Sequence, residues 1–191
     1  MNIRGYGLSK VNGPGNRFVL WTQGCSKGCL ECFNPETWNT RPVSLYTVQS
    51  LISIIEKINP TGITISGGDP FEQPEFLLEL LKELYKKDYK DGIIVFSGFT
   101  IDEINGNDTM RDCLNYLDVL IDGRYEKDKR ISSGLRGSEN QNILYFSDKI
   151  HPEELMIDQE IEVGVSCDKI YVTGFPNISR KVLRELGVIL K

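Results

Sequence analysis

Cys25, Cys29 and Cys32 fall in the run GCSKGCLECFN between Gly24 and Asn34. This C-x3-C-x2-C spacing gathers three soft thiolates in one short segment, a donor set suited to iron–sulfur clusters. Four-iron clusters that only transfer electrons fill every corner with cysteine. Three ligands leave one iron open to a substrate or cofactor. Two other uses of the cysteines compete. A zinc site completed by Cys113, Cys167 or His151 is one, although structural zinc usually draws on two C-x2-C-like pairs. A disulfide set is the other, and it fits poorly with five cysteines, closely spaced loop positions and no signal peptide. The expected setting is therefore a reducing cytoplasm.

A second constellation is Ser66-Gly67-Gly68-Asp69-Pro70. Paired glycines let a backbone approach a ligand closely, and a carboxylate can accept from an ammonium group. A Gly-Gly before proline is also an ordinary strand-to-helix turn.

The elements that must position these groups can be read from the apolar pattern. Residues 17–22 (RFVLWT) form a buried strand that delivers the cysteine loop, preceded by a turn at Gly13-Pro14-Gly15. Ser44 is a plausible N-cap for a helix reaching Lys57, with Leu45, Val48, Leu51, Ile52 and Ile55 on one face. A strand over 62–66 runs into the glycine motif. A helix over 74–87 follows, with Phe76, Leu77, Leu80, Leu81 and Leu84 as its apolar side. Next come a strand over 92–97, a short helix through Cys113 and Leu114, and a strand over 118–121. Strands alternating with helices imply right-handed βαβ units and a parallel sheet, whose ligands sit at the carboxyl ends of the strands. The cysteine loop, Ser66 to Asp69, Ser97 to Phe99 and Asp122 to Arg124 all fall at such ends. The tail reads as a β-hairpin, 160–165 and 169–173, and a helix over 179–186.

With 191 residues, the chain is long enough for one domain that needs no covalent staple. A net charge of −5 argues against a nucleic-acid groove. The basic runs at 86–87 and 127–130 read as solvated faces. No apolar stretch approaches the roughly 20 residues that span a bilayer, so no membrane partner is expected.

Together the two constellations resemble the radical S-adenosylmethionine (radical SAM) superfamily. Further motifs narrow the likeness: VNGPGNR at 11–17, CFNPETW at 32–38, SGGDP at 66–70, DVLIDGR at 118–124 and RGSENQ at 136–141. In this order they resemble the activating proteins of anaerobic (class III) ribonucleoside-triphosphate reductases, across roughly residues 5 to 144. The resemblance implies an α/β fold, a partial (β/α) barrel of the radical SAM type; after about residue 145 the chain departs from the shortest activators of this type, and its tail reads as a short C-terminal β-hairpin and helix extension. Residues 1–145 would be the core and 146–191 an extension packed on it, one domain overall.

It also implies a glycyl-radical activase. Cys25, Cys29 and Cys32 would ligate one 4Fe-4S cluster whose open iron binds SAM, and reductive cleavage would give a 5′-deoxyadenosyl radical that takes a hydrogen from a glycine of a large partner reductase. Glu31, Cys32 and Phe33 match the family's SAM-contacting stretch, Gly68 its glycine-motif contact, with Gly67 and Asp69 in the same turn. No catalytic residue beyond cluster and SAM is implied, and an electron donor such as flavodoxin is. Many radical SAM proteins place an aromatic residue just before the last cysteine. This chain has Glu31 there and Phe33 after it, which leaves the adenine contact open.

Asp122-Gly123-Arg124 reads either as a SAM contact or as a turn, and 136–141 either as a rim loop facing a partner or as a self-braced loop. Phe33 and Trp38 would otherwise be core aromatics, and His151 a surface residue. A side chain at Gly68 is expected to weaken SAM binding and spare the cluster. The alternatives are a radical SAM enzyme acting on a small molecule or peptide, an activase of another glycyl-radical enzyme, and a nonenzymatic iron–sulfur or zinc module.

Overall fold

The computed structural model describes residues 1–156, 158–166, 169–175, 185 and 188–190. The chain opens with β1 (Asn2–Ser9), which pairs antiparallel with β2 (Arg17–Thr22). β2 is buried at every position, the pattern of a strand covered on both faces. A two-residue strand β3 (Ser44–Leu45) pairs with β1, and α1 (Val48–Ile58) follows. β4 (Gly62–Gly67), α2 (Pro74–Tyr85), β5 (Ile93–Phe96), α3 (Ile101–Asn105), α4 (Asp108–Cys113) and β6 (Val119–Asp122) come next. β7 (Asn142–Tyr145) closes the sheet antiparallel to β6. The spatial order is β3-β1-β2-β4-β5-β6-β7, and β2, β4, β5 and β6 run parallel. The fold is thus mixed α/β around a largely parallel centre.

One expected cap is displaced. Thr47, not Ser44, caps α1, its Oγ1 accepting from Ser50 N at 3.2 Å. Ser44 is drawn into the sheet because the chain start competes for this segment, with Tyr46 N donating to Met1 O at 2.9 Å. Leu45 is consequently exposed, and the apolar face of the helix is Val48, Leu51 and Ile55. In α2 the buried stripe is Leu77, Leu80, Leu81 and Leu84, while Phe76 stays exposed. Each buried leucine contributes about 2 kcal/mol by leaving water.

Successive strand residues serve opposite faces. Phe18, Leu20, Ile63, Ile65, Ile93, Val95 and Leu120 pack with the leucines of α1 and α2. Ile94, Val119 and Ile121 pack with Leu135, Ile150 and Leu155 on the other side. Arg17 is fully buried at the start of β2. Its Nε donates to Thr64 Oγ1 at 2.7 Å, and its two terminal nitrogens donate to the carbonyls of Pro14, Ile63, Asp91 and Gly92. Burial pulls its pKa down to about 10, against Asp91, Asp118 and Glu154, so the group stays charged and ties the strand starts together.

A second sheet holds β8 (Ile161–Ser166) and β9 (Lys169–Gly174) as an antiparallel hairpin, with β10 (Val188–Leu190) parallel to β9. The hairpin expected from the sequence is therefore present. The helix expected over 179–186 lies, but for Glu185, outside the described residues, as does Cys167. Among the described residues no helix is long and apolar enough to cross a membrane.

Candidate functional site

A pocket opens at the carboxyl ends of the parallel strands, where loops leaving β2, β4, β5 and β6 converge. Cys25, Cys29, Cys32 and Phe33 line it from the first loop, and Ser66, Gly67 and Gly68 from the second. Ser97 and Gly98 line it after β5, and Gly123 and Tyr125 after β6.

The cysteine loop is shaped from both sides. Gly24, at φ +108°, lets the chain turn out of β2, and its N–H donates to Thr37 O at 2.7 Å. Cys25 N donates to Trp38 O at 3.3 Å, and Cys32 N to Cys29 O at 3.0 Å. Trp38 therefore supports the loop through its backbone while the residue remains 37% exposed, so it is not a core aromatic.

The glycine motif is fastened to this loop. Gly68 N donates to Thr22 O and Asp69 N to Gly24 O, each at 2.9 Å. Ser26 N and its hydroxyl both donate to Glu72. A Cβ at Gly67, where φ is +105°, would stand 2.3 Å from Thr22 N. One at Gly68 would stand 2.3 Å from Gly24 O. The paired glycines are thus required by close backbone packing next to Cys25.

Asp69 does not line the pocket. It is fully buried, with Oδ1 accepting from Phe71 N at 3.1 Å, Oδ2 from Gly98 N at 2.8 Å, and the Ser97 hydroxyl reaching both oxygens. It braces the loop after β4 against the loop after β5. Burial pushes this carboxyl up to about 6, against the hydrogen bonds and Lys27, which pull it down. A raised carboxyl pKa gives stability that is complete below about 3.8 and is lost as pH rises through about 6. Wild type should therefore lose stability relative to Asp69→Asn between pH 4 and pH 7, read from urea unfolding of the cluster-free chain. Near pH 4 the variant should be the weaker, since Oδ1 accepts from Phe71 N and Oδ2 from Gly98 N, and the amide group that replaces one of these oxygens can only donate.

Glu31 also lies off the pocket lining. It adopts φ +54° and pairs with Lys127 Nζ, tying the cysteine loop to the segment after β6. Asp122 is buried and accepts from Ile101 N at 2.6 Å and Asn142 Nδ2 at 2.8 Å, and Arg124 pairs with Glu103 at 3.0 Å. Neither side chain of that motif lines the pocket. Gln141 braces the 136–141 loop, its Oε1 accepting from Gly137 N at 2.9 Å and its Nε2 donating to Gly123 O at 2.9 Å. This self-braced loop also presents Gly137 and Gln141 to the pocket. His151 is exposed.

Lys27, Tyr125 and Phe175 line the pocket without having been singled out in the sequence. Lys27 places its ammonium 3.0 Å from the Phe99 ring centroid. Its position between two of the cysteines was the available signal. For Phe175, far along the chain, no local signal exists.

The donor chemistry fits an iron–sulfur cluster. Burial pushes the Cys25 thiol up to about 11 and raises Cys29, with the neighbouring cysteine thiols adding repulsion to each. Metal must displace those protons and neutralise that repulsion. No three described His, Cys, Asp or Glu side chains are gathered as round one metal ion, whereas thiolates on separate corners of a cluster do not share one ion. Cys113 is elsewhere, buried at the end of α4, its thiol donating to Thr109 O at 3.4 Å and pushed up to about 12 by burial.

The family model described as a 4Fe-4S single cluster domain matches residues 11–144. The chain is 34% identical over 150 residues to the anaerobic ribonucleoside-triphosphate reductase-activating protein of Enterobacteria phage T4, covering 76% of this chain and 94% of that one. It is 31% identical to the protein of the same name from Pasteurella multocida, covering 76% and 97%. It is 33% identical to the pyruvate formate-lyase-activating enzyme of Staphylococcus epidermidis, over 85% of this chain and 68% of that one. The cysteine loop, the glycine motif bound to it and these likenesses agree: the chain belongs to the radical SAM family of anaerobic ribonucleoside-triphosphate reductase-activating proteins, which carry a single 4Fe-4S cluster.

Proposed function

We infer that this protein is a glycyl-radical activase whose partner is an anaerobic ribonucleoside-triphosphate reductase. The observation that carries the reading is the meeting of three cysteines and the Ser66–Gly68 backbone in one pocket at the carboxyl ends of the parallel strands. When bound, the cluster and SAM supply a 5′-deoxyadenosyl radical able to take hydrogen from the α-carbon of a glycine. Cys25, Cys29 and Cys32 are the cluster ligands. Cys32 and Phe33, with the backbone of Gly67 and Gly68, are the SAM-facing groups. Glu31 and Asp69 serve this site indirectly, Glu31 by anchoring the cysteine loop to Lys127 and Asp69 by holding two loops in register. The protein's part is positioning and exclusion of water.

In this reading residues 1–145 are a partial (β/α) barrel of the radical SAM type and 146–191 an extension on it. The enzyme works in the cytoplasm beside its reductase, with a donor such as flavodoxin. The test combines the reconstituted protein, SAM, a reductant and the reductase from the same source. The expected result is 5′-deoxyadenosine and an EPR doublet that collapses when the partner's glycine is deuterated at its α-carbon. A reductase that stays radical-free, alongside turnover of a small molecule, would overturn the assignment. If pyruvate formate-lyase acquires the radical and the reductase does not, the activase chemistry stands and the partner changes.

A further inference from the structure

The family model stops at residue 144, yet the chain beyond it returns to the pocket. Gly174 and Phe175, at the end of β9, stand among the lining residues. The Phe175 ring meets Phe33, the neighbour of Cys32, edge-on with centroids 6.0 Å apart. Phe33 also packs on Tyr125 at 5.1 Å.

This placement is built. Asn12 Nδ2, from the turn between β1 and β2, donates to Thr173 Oγ1 at 3.0 Å, and both residues are buried. On the other flank Gln159 Nε2 donates to Gly134 O at 3.2 Å and Arg136 O at 2.6 Å. Phe175 N donates to Glu160 O at 3.1 Å. Gly174 adopts φ +100°, and a Cβ there would lie 2.3 Å from Glu160 O. The turn that aims Phe175 at the pocket therefore requires glycine.

We propose that Phe175 is a specificity-determining wall, contributed by the C-terminal extension, that narrows the pocket beside Phe33 so that a peptide segment enters only where it lacks a β-carbon. The proposal rests on the activase reading and adds the selection of the target residue by a part of the chain outside the family model. An aromatic wall suits this use, being rigid, bulky and water-excluding. A pocket that rejects one methyl group discriminates by about tenfold or more.

The test measures equilibrium binding of the purified reductase, and of the same reductase with its target glycine changed to alanine, to the reconstituted activase. Wild type should prefer the glycine form by about tenfold or more. Phe175→Ala should bind the two about equally and keep its iron content, and Phe175→Tyr should restore the preference. The ratio of 5′-deoxyadenosine released to glycyl radical formed should also rise several-fold in Phe175→Ala. Gly174→Ala, which keeps the ring but misdirects it, should move both readouts the same way, so the conclusion does not depend on one variant's folding. Undiminished preference for glycine in both variants would overturn the wall while leaving the activase intact. Failure of the wild type to bind or activate the reductase would instead sink the activase reading, and the wall with it.

Discussion

Replacing any one of Cys25, Cys29 or Cys32 by alanine should reduce iron from about four per chain to near zero after anaerobic reconstitution, and abolish SAM cleavage and glycyl-radical formation together. Three ligands leave no redundancy, and the loop offers no fourth thiol. Cys113→Ala should keep its iron and its radical output. That thiol donates to backbone oxygens of Thr109 and Pro74, lies outside the pocket lining and is held protonated by burial. Its loss should appear only as a stability decrease of about 1–2 kcal/mol, the usual scale for trimming a small buried group. Cys167→Ala is likewise expected to keep its iron and its radical output. Iron analysis and EPR of the reduced protein decide the matter, and a distal cysteine essential for iron would break the three-ligand assignment.

Gly68→Val should be nearly as damaging, and by a route that the motif alone did not suggest. Considered as a ligand cradle, Gly68 would lose SAM affinity on gaining a side chain and keep its cluster. In the fold its missing Cβ is replaced by the Gly24 backbone, with O, C and N all within about 3 Å. Backbone cannot swing aside, so the valine must push the cysteine loop. Iron content should fall together with SAM binding, and activation should drop about a hundredfold or more, the scale of a roughly 1 Å misplacement near the chemistry. Gly98→Ala is the informative contrast. Its nearest neighbour would be Lys27 Cγ at 2.9 Å, on a flexible side chain able to move. It should retain its iron and lose only part of its activity. Full iron loading in Gly68→Val with weakened SAM binding would restore the cradle explanation.

Much of the architecture was legible along the chain because its central elements are written locally. β2, β4, β5 and β6 are apolar runs bounded by glycine, proline or polar turns, and α2 repeats leucine at helical spacing. Burial of both faces makes such runs unambiguous. β1 and β7 escaped notice. β1 carries Gly5 and Gly7 and a mixed burial pattern, β7 is only four residues long with no buried position, and each owes its extended form to the strand beside it. The start of α1 moved from Ser44 to Thr47 for the same reason, since pairing with the chain's first residues outweighed a good local cap.

The candidate site divides along this line. The sequence alone determined which chemistry is available: three soft thiols at one spacing, a glycine motif one helix-crossing away, and the motif order of an activating-protein family. These are short-range facts, carried by residue type and interval. Only the tertiary structure decided which way the neighbouring side chains turn. Asp69 faces inward because two N–H groups and a hydroxyl from separate loops meet its carboxylate there. Glu31 turns off the pocket lining to Lys127, brought close from 96 positions along the chain. Phe175 reaches Phe33 because hydrogen bonds from the turn after β1 and from the 134–136 loop dock the hairpin between them. Such contacts depend on which loops the sheet order places side by side, and no local interval in the sequence encodes that adjacency.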